Sequence, residues 1–236
     1  MIDWLHAFAF LPPLDWLALV LFLGGWVGYA WFARRLALSR PSLLASTNRI
    51  RRAWILQSTY RDVRVLDGAV IQNLSISPSF FASTTILIIG GLLAVLGTTE
   101  KVSGLVHEIP FAARTSALVF DLKVVVMLAI FVYAFFRFTW SMRQYTFGAL
   151  LLASAPEAKQ FEVQKIPREP HADRAGRVVS MAAETFNDGL RAYYFSFAAL
   201  AWFFSPWLFL VFNFGVIYIL YQREFHSDVL AVLSEP

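Results

Sequence analysis

The stretch ALVFDLKVVVMLAIFVYAFF, residues 117–136, runs straight into Arg137 and decides how the rest of the chain is read. Its twenty residues hold two charges, Asp121 and Lys123, both near the start, and everything else is apolar or aromatic. At ~1.5 Å per residue, a helix over this stretch is about as long as the hydrocarbon core of a bilayer is thick. The neighbouring sequence offers comparable segments. Residues 14–33 form an apolar run with Asp15 at its head that ends on Arg34 and Arg35, and Asp3 is the only charge before it. Residues 80–97 follow Ser77-Pro78-Ser79, where Ser and Pro suit the first positions of a helix. Residues 190–221 form a run longer than one crossing needs, so it should tilt, bend at Pro206 or protrude.

Composition agrees with this reading. Of 236 residues, 58% are hydrophobic and 15% charged, too apolar for an ordinary soluble domain. The expected fold is an all-α polytopic membrane protein with four transmembrane helices, a single integral membrane domain spanning residues 1–236. The first span lacks the basic leader and short apolar core of a cleaved signal peptide and reads as a retained anchor. The absence of Cys excludes disulfides, thiolate catalysis, Cys-ligated zinc and iron–sulfur clusters.

The twenty basic residues follow the spans. Residues 34–79 hold eight of them, Arg34, Arg35, Arg40, Arg49, Arg51, Arg52, Arg61 and Arg64, and residues 137–191 hold another eight. The positive-inside rule puts both connections in the cytoplasm of a bacterial inner membrane, and four spans then leave both termini outside. The formal charge of +4 therefore reflects membrane topology and contact with anionic lipid head groups, and no nucleic-acid partner is expected. Both connections read as cytoplasmic helices. Over 42–76, apolar Ile50, Trp54, Val63, Leu66, Val70 and Leu74 recur at mostly helical steps among charges, with a gap around Gln57, and 171–189 resumes an amphipathic pattern.

Several clusters at the span boundaries carry a family resemblance. Ala82-Ser83-Thr84-Thr85-Ile86, the run from Asn187 to Phe195 with Trp202 and Pro206 beyond it, Arg223-Glu224-Phe225-His226-Ser227, and Arg137, Trp140, Arg143 and Gln144 resemble the bacterial and plant membrane family catalogued as domain of unknown function 599. The resemblance supports the membrane topology and implies no activity, cofactor or catalytic residue.

Candidate chemistry is sparse. Asp121 and Lys123 are two residues apart on a helix and face different ways, so each needs a partner elsewhere. Two readings of Lys123 stand: a cation lining a polar path with Ser83, Thr84 and Thr85, or a lysine whose stem lies in the outer leaflet while its head reaches the surface. At the inner side, Arg137, Arg143, Asn187, Asp188 and Arg191 form either an anion-attracting vestibule or a set of helix-end anchors. His6, His107 beside Glu108, and His226 are expected outside without a metal-ligand spacing, so no metal and no cofactor is expected. No nucleophile motif or intramembrane carboxylate pair occurs, and no enzyme activity is expected. Gly24-x-x-x-Gly28 and Gly90-x-x-x-Ala94 permit close helix approach, within one chain or between chains. The leading expectation is a homo-oligomeric channel for small solutes or anions, and the alternative is a non-conducting scaffold or accessory subunit of a larger membrane complex.

Overall fold

Pro13 opens the first helix, where its missing amide costs nothing because no intrahelical acceptor exists there. This helix, α1 (Pro13–Leu36), carries Asp15 in its first turn and Arg34 and Arg35 in its last, each sign matched to the helix dipole. The computed structural model describes residues 11–37, 39–99 and 116–234. The helices that follow are α2 (Leu43–Ser58), α3 (Val65–Leu96), α4 (Ala117–Ala153), α5 (Ala158–Val163), α6 (Arg168–Ala201), α7 (Pro206–Phe225) and α8 (Asp228–Ser234). The described residues contain no strand, and Pro13–Leu36, Val65–Leu96, Ala117–Ala153 and Pro206–Ser234 are each long and apolar enough to cross a membrane. Two compact units emerge, and α3, α4, α6 and α7 contribute to both.

The first unit comprises residues 1–38, 86–133 and 191–222. Contacts along α1 establish the direction of each segment around it. Arg191 lies over the Tyr29 ring, and Phe195 packs against Trp26 and Phe22. Trp202 then hydrogen-bonds Asp15, so the last part of α6 runs antiparallel to α1. Helix α7 runs back the other way: Phe209 meets Phe22, the Asn213 side chain reaches the Leu21 carbonyl, and Tyr221 lies by Phe32. Between the two helices the chain reverses over residues 202–205, where the amides of Trp202, Phe203 and Phe204 each donate three residues back and Pro206 starts the new helix.

This hairpin corrects the single span expected over 190–221. Tyr221 returns to the Arg34 and Arg35 end of α1, opposite Asp15. The physical reason lies in the length of the run. At about 1.5 Å per residue it measures roughly 48 Å, enough for one tilted helix or for two shorter passes, and apolarity is the same in either case.

The second unit comprises residues 39–85, 134–190 and 223–236. Its core gathers Ile55, Ile71, Tyr145, Leu152, Val179 and neighbouring alanines, with Trp54 and Leu74 against them. Small residues let α4 and α6 approach: a Cβ on Gly148 would meet Val179 Cγ2 at 2.7 Å, and one on Gly189 would meet the Phe138 ring at 2.5 Å. The helix expected over 42–76 is broken. Ser42 caps α2 by accepting from the Ala45 amide at 3.1 Å, α2 ends at Ser58, and a turn leads into α3. One buried and one half-buried arginine hold that turn. Arg168 donates to the carbonyls of Thr59 and Ala158 and stacks on Tyr60 and Phe161, while Arg64 donates to the Ser58 and Ala155 carbonyls. A second correction concerns Pro78, which lies inside the continuous helix α3 and does not start the span. The segment expected over 171–189 is part of the single helix α6.

Candidate functional site

The first unit contains a sealed charged cluster. Lys123, two turns into α4, is 1% exposed, and its Nζ donates to the Trp202 carbonyl at 2.9 Å while lying 5.3 Å from the centre of that tryptophan's ring. The Trp202 indole N–H in turn donates to Asp15 Oδ1 at 2.5 Å, and Asp15 is itself buried. One tryptophan at the hairpin turn thus joins a cation of α4 to an anion of α1. Its ring also stacks on Phe209 with centroids 5.0 Å apart. A charge in such an apolar setting is tolerated because it has a carbonyl acceptor, an aromatic ring beside it and a counter-charge near. Asp121 takes a separate partner, accepting from the Thr99 hydroxyl at 2.6 Å. Lys123 therefore neither reaches the surface nor lines an open path in this unit.

The remaining residues singled out from the sequence are dispersed. Ser83, Thr84 and Thr85 belong to the second unit and Lys123 to the first. Thr84 and Thr85 donate back to the Phe80 and Phe81 carbonyls of their own helix, and Ser83 is exposed. Arg137 pairs with the buried Asp188, Arg143 is exposed, and Arg191 sits over Tyr29. His171 bonds the Leu151 carbonyl and His226 is exposed. His6, His107, Glu108, Lys101 and Arg114 lie outside the described residues. Among the described residues no three His or acidic side chains gather in a way that would hold a metal ion.

A cavity of about 550 Å³ in the second unit brings together residues that the sequence scatters. Arg51, Arg223, Tyr145 and Asn187 contribute polar groups, and Leu44, Leu74, Phe186 and Leu233 contribute apolar wall. Glu224 also lines it, but its Oε1 is occupied by the Leu44 amide at the start of α2, 3.1 Å away. Arg51 uses Nη1 to reach Thr47 Oγ1 at 3.1 Å and Asn48 Oδ1 at 2.8 Å. Burial pushes the Arg51 guanidinium below its ordinary value, opposed by the neighbouring Tyr145 and Glu184. The sequence reading singled out Arg51 and Asn187 for separate reasons and passed over Tyr145, Asp15 as a counter-charge and the bridging role of Trp202. Only the polar character of Asp15 at the head of an apolar run was visible as a signal.

Apolar helices long enough to cross a bilayer, with Asp15 and Lys123 buried and hydrogen-bonded within them, define a multi-pass α-helical membrane protein. The chain belongs to the family described as "Protein of unknown function, DUF599", which matches residues 17–229 and so takes in Lys123, Trp202 and every residue of the cavity named above except Leu233. Neither the curated proteins nor the solved structures contain a match to the chain.

Proposed function

We propose that this protein is a self-associating, non-conducting scaffold of the bacterial inner membrane, with the two basic connections in the cytoplasm and no catalytic step of its own. The observation that carries the reading is the sealed Lys123. Lys123, expected to serve an intramembrane path, is instead held by the Trp202 carbonyl, the Trp202 indole holds Asp15, and Phe22, Trp26, Phe195 and Phe209 pack together in the same unit. The outer surface supports association: added Cβ atoms on Gly24, Gly28, Gly90 and Gly91 would meet nothing within 4 Å, so these small residues are unused inside the chain. Leu87, Leu93, Val20 and Val27 are exposed around them. An anion pathway is the second reading. The density of Arg in the two connections favours it, and such a path would have to run between copies.

Native mass spectrometry of the detergent-solubilised chain, paired with chloride flux in liposomes, separates these readings. A discrete homo-oligomer without flux above that of protein-free liposomes is expected. A monomer overturns the self-association, and flux that scales with protein overturns the non-conducting role in favour of the second reading.

A further inference from the structure

The 550 Å³ cavity lies wholly within the second unit and has the size of a small-molecule site. Its polar lining is gathered from separate helices, with Arg51 on α2, Tyr145 on α4 and Asn187 on α6. Tyr145 is only 3% exposed, yet its hydroxyl has no hydrogen-bond partner among the described residues. The Asn187 amide has none there either. Arg51 spends only Nη1, on Thr47 and Asn48, so Nε and Nη2 have no acceptor among the described residues. Buried polar groups are almost always paired, and a donor left unpaired is destabilising, so three side chains with open donors around one cavity point to acceptor oxygens inside it.

The charges of the lining already have counterparts. Glu224 accepts from the Leu44 amide at 3.1 Å, Arg223 has interactions of its own, and Glu184 attracts the Arg51 guanidinium. What stays open is therefore a set of donors with no net charge to neutralise, which favours an uncharged acceptor over an anion. A carbonyl oxygen has two lone pairs and meets such donors without bringing charge into a buried site. The apolar wall adds a second requirement. Leu44, Leu74, Phe186 and Leu233 offer hydrocarbon surface that water in the cavity would leave wetted. The two walls together fit a carbonyl group carried on hydrocarbon.

We propose that this cavity binds an uncharged carbonyl-bearing amphiphile, its carbonyl oxygens on Tyr145, Asn187 and Arg51 and its hydrocarbon on the apolar wall. Isoprenoid quinones and diacylglycerols share that chemistry. The site is independent of oligomeric state and of conduction. Purified full-length protein in detergent is titrated with a benzoquinone carrying two isoprene units, with dioctanoylglycerol, or with dioctanoylphosphatidylglycerol, and the bound species are counted by native mass spectrometry. Saturable binding of at least one neutral probe, tighter than that of the anionic lipid, is expected. It should weaken about fivefold in Tyr145→Phe and in Asn187→Ala. Arg49→Gln, at an exposed arginine on α2 outside the cavity lining, should bind as the wild type does. Tyr145→Phe removes a single oxygen, so its loss of binding reads the hydrogen bond and not the fold. Preference for the quinone assigns a ring dione, and preference for dioctanoylglycerol assigns an ester pair, each within the proposal. Binding of the anionic lipid as tight as that of the neutral probes overturns the uncharged occupant. Failure of both neutral probes to bind, an equal loss in Arg49→Gln, or no loss in both Tyr145→Phe and Asn187→Ala overturns the site.

Discussion

Lys123 shows how much one side chain depends on residues far away in the sequence. Its ammonium is anchored by a carbonyl 79 residues further along the chain, and the indole of that same residue holds Asp15, 187 residues earlier. Removing one member leaves the opposite charge buried without its partner, which costs about 3–5 kcal/mol in well-packed interiors. Lys123→Met and Asp15→Leu should each lower the thermal unfolding midpoint in detergent markedly, while the double variant should recover part of the loss because both charges leave together. Single variants as stable as the wild type would show that the pair does not hold the fold. Asp121, with a hydroxyl partner and partial exposure, should tolerate Asn with a change below about 1 kcal/mol, read by the same melt. Sequence spacing already separates Asp121 from Lys123, because residues two apart on a helix point to different faces. It says nothing of Trp202, whose position comes from a turn in another segment.

At the scale of elements, the hairpin of α6 and α7 matters most. Apolarity alone made residues 190–221 one long span, and the reversal rests on local turn bonds at 202–204 together with ring contacts to α1 that no window of sequence displays. Pro206 was legible as an interruption, and the structure makes it a helix start. The native chain has no Cys, so single introduced cysteines can be labelled without background. In intact spheroplasts, Pro12→Cys should react with a membrane-impermeant maleimide, whereas Arg35→Cys and Ser227→Cys should react only in inside-out vesicles. Labelling of Ser227→Cys from the Pro12 side would restore the single span and abolish the hairpin. The break between α2 and α3 has a related origin. The gap in the apolar pattern around Gln57 hinted at it, but the turn is kept by Arg64 and Arg168, whose acceptors lie on other segments.

For the whole molecule, the surface left after folding determines what the protein can join. A Cβ on Gly24 or Gly28 of α1, or on Gly90 or Gly91 of α3, would meet nothing within 4 Å among the described residues, and Val20, Val27, Leu87 and Leu93 on the same helices are exposed. Bulky substitutions there should spare the monomer and break the assembly. Gly24→Leu and Gly90→Leu are expected to shift the native mass toward the monomer while leaving the thermal midpoint of the protomer within about 1 kcal/mol of the wild type. Lowered protomer stability with an unchanged mass would assign these glycines to folding.

The sequence by itself determined the helical class, the four long apolar segments and the basic bias of both long connections. These follow from lengths and charges summed along the chain, quantities in which neighbours in sequence are also neighbours in space. Tertiary structure alone decided that the last apolar run folds back, that Lys123 is sealed by Trp202 and Asp15, and that Arg51, Tyr145, Asn187 and Arg223 line one cavity. The reason is that pairing of buried polar groups and closure of a cavity depend on which helix faces meet. A hydrophobic period shows that a face exists, but its partner is selected by packing among segments far apart in the chain.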